Sequence, residues 1–484
     1  MNKKMANKVL LINGPSQDPS DRFFGWPTPL LYAVAPSIAE AKKGKLDVEF
    51  ISQIFDPIWY EAHSKSRIDR ELEGIVDKEQ PDIVCASAIY DSVYPTLCLF
   101  DKIKRINSDV KTIFGGPHFD EIHTLDKFSD IKLRPDLIDI AIAGDGDYAL
   151  LETLRSIFNG RSLADVDWND IDGRATIYTN DGSVYQTNGK PIDLNSLPFI
   201  PIEFANINRH KNDFGIFIDS DGKIIPTVQM IAQRGCPYTC NFCSESRNLA
   251  YPNARSINSL IEEIELRKQQ GFGAVFFDDS TFGAHPQIRD LLVELGKTGM
   301  QFGSLNRFNL LTNPRKVEAY RSAGFTYVYT AIEQFDDSAL KSMDKSQKEK
   351  TIKDSMSVLD NSGFDVGVSL LYGLPYETEE TIEKTLDFTA RWVDKGTIKI
   401  VSESVLSYHP GTLAGSGLTG GFHRTPPNSG YPFNRFEEGQ WYHPEHVNAK
   451  YLEEILEISE KRFGRVMVRN KHSWHSVNGE VLVK

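Results

Sequence analysis

Residues 233–246 read QRGCPYTCNFCSES and hold three of the chain's five cysteines, spaced Cys236-x3-Cys240-x2-Cys243. A structural zinc ion closes with four ligands. Here the remaining cysteines, Cys85 and Cys98, lie far off in another domain, and the loop contains no histidine. Buried core cysteines have no reason to take this spacing. A [4Fe–4S] cluster on three thiolates leaves one iron open to a cofactor or substrate, so the missing fourth cysteine becomes a functional feature.

The surroundings of the cysteines suit a site. From residue 226 to 410 the strands TVQMIAQRG, AVFFDDS, FGSLNRF, YVYTAIE, VGVSLLYG and IKIVSESVLS alternate with helical stretches. Ser259-x-x-Glu262 is a capping-box pattern that opens one helix, and Gly271 closes it. Six β/α units predict a partial (β/α)6 barrel with the cysteines directly after its first strand. In β/α barrels the chemistry sits at the carboxyl ends of the strands.

Residues 1–160 alternate strand and helix as well. KVLLING, DVEFIS, DIVCASAIY, VKTIFGGPH and LIDIAIAGDGD are near-continuous apolar runs, as strands buried on both faces require. They predict an α/β, doubly wound Rossmann-like sheet of flavodoxin type. Its strand ends carry Gly115, Gly116 and His118 (GGPH) and Gly144, Asp145 and Gly146 (GDGD). These glycines either make tight βα turns or let the backbone approach a ligand. Residues 161–225 read as a linker with a β-hairpin tipped by Asn-Asp-Gly. Residues 411–484 form a C-terminal extension that either covers the barrel mouth and shapes a substrate site or packs outside.

Composition narrows the function. The chain has 484 residues, 40% hydrophobic and 25% charged, with a net charge of −13. That acidic balance speaks against a nucleic-acid partner. Its longest apolar runs are strand-length, so no membrane span is expected. The N-terminus has no signal-peptide pattern, and a few clustered cysteines suit a reducing cytoplasm.

The cysteine spacing, with Phe242 just before the third cysteine, resembles the signature of the radical S-adenosylmethionine superfamily. That resemblance implies a [4Fe–4S] cluster on Cys236, Cys240 and Cys243. S-adenosylmethionine then binds the open iron and is cleaved by one electron to a 5′-deoxyadenosyl radical. It further implies that Asp278 and Asp279 receive the methionine ammonium, in place of the family's frequent Gly-Gly-Glu. Arg307 would pair with the methionine carboxylate and Glu333 with a ribose hydroxyl. The stretch from Tyr372 to Thr378, with Gly373 and Pro375, would lie against the adenine.

A flavodoxin-like domain, a linker ending in DLNSLP, and the barrel together resemble the cobalamin-binding branch of that superfamily, over roughly residues 7–410. The branch implies cobalamin at the GGPH and GDGD stretches and methyl transfer to an unactivated carbon of a small molecule or peptide. An electron donor of flavodoxin or ferredoxin type goes with it. No Asp-x-His-x-x-Gly motif occurs, so cobalt is expected without a histidine, facing a side chain of GPSQDPSDRFF or of the SAIYDSVYP stretch that opens at Ser87. A radical rearrangement or ring-forming enzyme on the same scaffold is the alternative. A methylthiotransferase would need three further cysteines for another cluster, where the N-terminal domain has only Cys85 and Cys98, and an iron–sulfur sensor would not need the polar strand ends.

Overall fold

The apolar runs of the first 144 residues become strands covered on both faces. In the computed structural model, the described residues are 7–13, 28–54, 65–87, 90–116, 136–204, 216–243, 245, 253–374, 377–405, 422–425, 441–444, 447, 449–464 and 467–469. They fall into two compact units, 7–204 and 216–469.

In the first unit, β1 (Asn7–Asn13), β2 (Val48–Ile54), β3 (Ile83–Ser87), β4 (Lys111–Gly115) and β5 (Ile140–Gly144) pair in parallel in the order 2-1-3-4-5. This is the flavodoxin-type order, in which the chain reverses direction of winding between β1 and β3. Alternate residues serve opposite faces. Val9, Leu11, Cys85, Ile113 and Ile142 pack with Val34 and Leu154 of the helices Thr28–Lys42 and Gly146–Phe158. On the other face, Phe114 meets Phe100 of helix Tyr90–Ile106 edge-to-face at 5.3 Å.

The hairpin expected in the linker belongs to this sheet. Its strand β6 (Ala175–Thr179) adds antiparallel to β5, and β7 (Val184–Gln186) antiparallel to β6, covering an edge of β5 that would otherwise present unpaired amides.

In the second unit seven strands run parallel, in the order β18-β15-β14-β13-β12-β11-β8. They are β8 (Thr227–Met230), β11 (Ala274–Phe277), β12 (Gln301–Leu305), β13 (Phe325–Glu333), β14 (Asp365–Tyr372), β15 (Ile398–Val405) and β18 (Met467–Arg469). Two antiparallel ribbons accompany them, β9 (Gln233–Arg234) with β10 (Asn253–Ala254), and β16 (Phe422–Thr425) with β17 (Trp441–Pro444). The seventh parallel strand comes from the C-terminal extension, beyond the six units read from the sequence. Its preceding helix, Ala449–Phe463, packs on helix Glu379–Asp394 and on β15, with Tyr451 donating to Glu383 at 2.9 Å and Ser459 to Glu403 at 2.7 Å.

One helix start differs from expectation. Helix Ile257–Gln269 is capped by Ser256, whose hydroxyl accepts from the Ser259 amide, and Ser259 lies within the first turn. The Ser-x-x-Glu spacing at 259 was a local coincidence; Ser256, one turn earlier, has the extended backbone a cap needs. Among the described residues no helix is long and apolar enough to cross a membrane.

Candidate active site

The cysteine loop leaves β8 and is pinned at its start by Asp279, just past the end of β11. The Asp279 carboxylate accepts from the Gln233 amide at 2.5 Å and from the Ala232 amide at 3.0 and 3.2 Å, and it is 1% exposed. Burial pushes this carboxyl up to about 7, with the two amides pulling it back down. Both of its oxygens are thus committed to the loop backbone. Asp278 beside it is only partly buried, and its carboxylate has no hydrogen-bond or ion-pair partner among the described residues. It too is raised to about 7, by burial and then by the charge of Glu245.

The loop's far side is held by residues 342–345. Asn241 donates from its backbone to Met343 O at 3.0 Å and from its side chain to Ser342 O at 2.6 Å. Thr239 donates to Asp344 at 3.1 Å. Asp344 and Ser346 are both left-handed, at φ 52°, and between and after them Lys345 and Gln347 turn inward, 3% and 6% exposed. Non-glycine residues in this region cost about 1–3 kcal/mol each and persist where surrounding contacts over-determine them.

Arg307, two residues beyond β12, reaches the cysteines. Its Nη1 donates to Cys240 Sγ at 3.2 Å, Nη2 donates to Lys345 O, and the guanidinium stacks 3.9 Å above the Tyr238 ring. Its Nε is buried without a partner. Cys236 Sγ lies 3.5 Å from Thr281 Oγ1. Burial, followed by Glu245 and Cys240, pushes the Cys243 thiol up to about 12.

Glu333 ends β13 in a left-handed conformation, φ 55°, where the ladder to β14 shifts register. It is 7% exposed; Lys345 Nζ donates to Oε1 at 2.6 Å and Ser369 Oγ to Oε2 at 3.2 Å. The Lys345 ammonium also sits 5.8 Å from the centre of the half-buried Phe242 ring. Asp279, Arg307, Glu333 and Phe242 therefore share one chain of contacts around the cysteine loop.

After β14, Gly373 and Leu374 donate their amides to Glu377 Oε2 at 2.5 and 3.2 Å. Pro375 lies outside the described residues, as does His118 in the first unit. In that unit Asn13, Ser87 and Gly115 are neighbours in register at the carboxyl ends of β1, β3 and β4, and Gly116 follows at φ 108°. Gly144 and Asp145 have an internal task. The Arg174 carbonyl would stand 2.1 Å from a Cβ at Gly144, and Asp145 exchanges hydrogen bonds with the Arg174 backbone at 2.8 and 3.0 Å. Gly146 opens the helix Gly146–Phe158, close to Ala33.

Sequence reasoning missed Lys345, Gln347 and Glu245, which fall in no motif. For Glu377 it read only the backbone of the surrounding stretch.

These residues fit an iron–sulfur cluster with a bound small molecule. The three cysteines are unpaired in disulfides, and Cys236 and Cys240 are 9% and 6% exposed. The Cys243 thiol, pushed up by burial, ionises when a metal replaces its proton. Among the described residues no three such ligands surround a single ion; in a cluster each thiolate binds its own iron. Arg307 Nε, Asn309 Oδ1 and Gln347 Oε1 are buried polar atoms still lacking partners, as a site built for a polar ligand provides.

Residues 230–389 match the radical SAM superfamily. The chain carries a radical SAM domain. It is 27% identical over 349 residues to the anaerobic magnesium-protoporphyrin IX monomethyl ester cyclase of Rubrivivax gelatinosus, covering 70% of this chain and 59% of the cyclase. It is 23% identical over 419 residues to an uncharacterised methyltransferase of Pyrococcus horikoshii, covering 84% of this chain and 82% of that one. The radical SAM domain and the preceding unit share the fold of the methyltransferase TsrM from Kitasatospora setae, solved with cobalamin and a [4Fe–4S] cluster. The TM-score is 0.64 at 15% identity, over 92% of this chain and 88% of TsrM.

Proposed function

We propose that the protein is a cobalamin-dependent radical SAM methyltransferase acting on an unactivated carbon of a small molecule or peptide. The observation that carries this reading is the three-cysteine loop, held at the strand ends by Asp279 and contacted at Cys240 Sγ by Arg307. With it comes a flavodoxin-type sheet whose switch point is lined by Asn13, Ser87 and Gly115.

When bound, the cluster with S-adenosylmethionine supplies a hydrogen-abstracting radical, and cobalamin supplies a transferable methyl group. The chain's residues hold and shield these groups. Asp278, whose carboxylate has no hydrogen-bond or ion-pair partner among the described residues and lies near the charge of Glu245, receives the methionine ammonium; a cation there restores its ionised form. Arg307 keeps Nε for the methionine carboxylate while its other nitrogens hold Cys240 and Lys345. Glu333, fixed by Lys345 and Ser369, orients a ribose hydroxyl, and the Gly373–Leu374 backbone borders the adenine. Small side chains at Ser87, Gly115 and Gly116 leave room for a flat macrocycle. A flavodoxin- or ferredoxin-type protein is the electron donor, and the cytoplasm the compartment.

Similarity to a cyclase keeps one second reading, a ring-forming radical enzyme. One experiment separates them. Anaerobically reconstituted protein should bind about four irons per chain, lost when Cys236, Cys240 and Cys243 are all replaced by Ala. It should also bind hydroxocobalamin, and the cob(II)alamin form should show no nitrogen splitting in its paramagnetic resonance. Turnover in protein that never retains cobalamin would overturn the methyltransferase reading in favour of ring formation.

A further inference from the structure

Strand periodicity separates two faces at the far side of the barrel. On β15, Val401 and Glu403 are fully buried. Glu403 accepts from Tyr372 Oη of β14 at 2.5 Å and from Ser459 of the C-terminal helix at 2.7 Å. Those contacts place residues 401 and 403 on the helix-covered face. Successive side chains point to opposite faces, so Ser402 and Ser404, both half-buried, face the barrel interior. Ser369 on β14 shares that side, since its hydroxyl meets Glu333.

The register sets Ala331, Ser369 and Ser402 side by side across three strands, one residue pair above the row Tyr329, Gly367 and Ile400. Below that row the barrel is plugged. A Cβ on Gly367 would stand 2.0 Å from Tyr327 Oη and 2.7 Å from Tyr329, and one on Gly303 would stand 2.8 Å from Phe217 and 3.1 Å from Phe276. The two glycines make room for an aromatic floor; above it Ala331, Ser369 and Ser402 carry small side chains, and Leu371, paired with Ser404, borders them on the same face.

The charge of this wall decides what can enter. Arg307 holds Cys240 and Lys345 and keeps its remaining Nε for the methionine carboxylate, and Lys345 is paired with Glu333, so once S-adenosylmethionine is bound an acidic substrate group would find no uncommitted cation here among the described residues. The Ser402 hydroxyl, by contrast, has no hydrogen-bond partner among them. We infer that Ala331, Ser369, Ser402 and Ser404 form the substrate subsite. It takes an uncharged, hydrogen-bonding part of the substrate (a hydroxyl, carbonyl or amide) seated against the Tyr329 ring. The inference rests on the radical reading above. A carboxylate entering this wall unpaired would lose its hydration without compensation.

The test uses Ser402→Cys and Ser404→Cys, with Val401→Cys as the opposite-face control and the unsubstituted protein as background. The first readout is labelling of the cluster-bearing protein by methyl methanethiosulfonate, mapped by peptide mass spectrometry. Ser402→Cys should be modified at the new thiol and Val401→Cys should not. The second is incubation with S-adenosylmethionine and titanium(III) citrate in D2O. A thiol in the subsite gives its deuterium atom to the 5′ carbon, S–D breaking as C–D forms and a thiyl radical remaining on the protein. Monodeuterated 5′-deoxyadenosine should rise several-fold over background with Ser402→Cys or Ser404→Cys and stay at background with Val401→Cys. Undeuterated product from both serine variants, or equal deuteration from Val401→Cys, overturns the subsite alone. No 5′-deoxyadenosine from any protein, the unsubstituted one included, overturns the radical reading and the subsite with it.

Discussion

Replacing Glu377 by Gln probes whether a buried, proton-bearing carboxyl holds the loop after β14. The side chain is wholly enclosed; Oε2 takes the Gly373 and Leu374 amides, and Oε1 is buried without a partner. Burial carries the carboxyl from 4.5 up to about 8, against the pull of the two amides. The folded chain therefore keeps a proton, between those two values, that the unfolded chain has released. Stability falls as pH rises through that window and is level above it. At ~1.4 kcal/mol per pH unit the whole loss is about 5 kcal/mol, an upper figure. Gln keeps an oxygen for the two amides and cannot ionise, so it escapes the loss. Urea unfolding of the anaerobically reconstituted protein, followed by tryptophan fluorescence, reads the difference. The variant should match the parent near the acid end of the window and surpass it progressively towards about pH 9. A difference that stays constant with pH would refute the buried neutral carboxyl.

Arg307→Lys keeps the charge but loses the flat stack on Tyr238 and the forked donors. The cluster should still assemble, with a lower midpoint potential in a redox titration. Formation of 5′-deoxyadenosine should slow by roughly 10- to 100-fold, the loss of about 1.5–3 kcal/mol from a charged hydrogen bond; an unchanged potential contradicts the contact to Cys240. Asp279→Ala strands the buried Ala232 and Gln233 amides at about 1–3 kcal/mol each. Iron content after gel filtration should drop, and a full complement of iron would show that the loop does not depend on this carboxylate. Ser459→Ala removes one donor from buried Glu403 and should cost about 1–3 kcal/mol, seen as faster tryptic cleavage near Lys461 and Arg462. Unchanged cleavage would mean that the C-terminal helix is docked by other contacts.

The sequence by itself determined the elements that rest on local pattern. Continuous apolar runs such as Ile83–Ser87 announce strands buried on both faces, and their alternation with helices implies parallel sheets whose sites lie at the carboxyl ends. Cys236, Cys240 and Cys243 were legible for the same reason: one short loop contains all three, and their chemistry needs no distant partner. What only the tertiary structure decided depends on contacts between residues far apart in the chain. Nothing near Asp279 says that its carboxylate will hold the amides of Ala232 and Gln233, some 47 residues earlier. Nor does Lys345 declare its place beneath Arg307 and beside Glu333, since Asp344 and Ser346 take left-handed conformations that their types rarely adopt alone. The hairpin 175–186 looked like a linker because an edge strand acquires its role only when β5 offers it an open ladder. Likewise Met467–Arg469 is too short to be recognised before it pairs with β15. Local patterning sets which segments are strand or helix; the burial of particular carboxyls, ammonium groups and edges is settled only when the sheet brings its strand ends together.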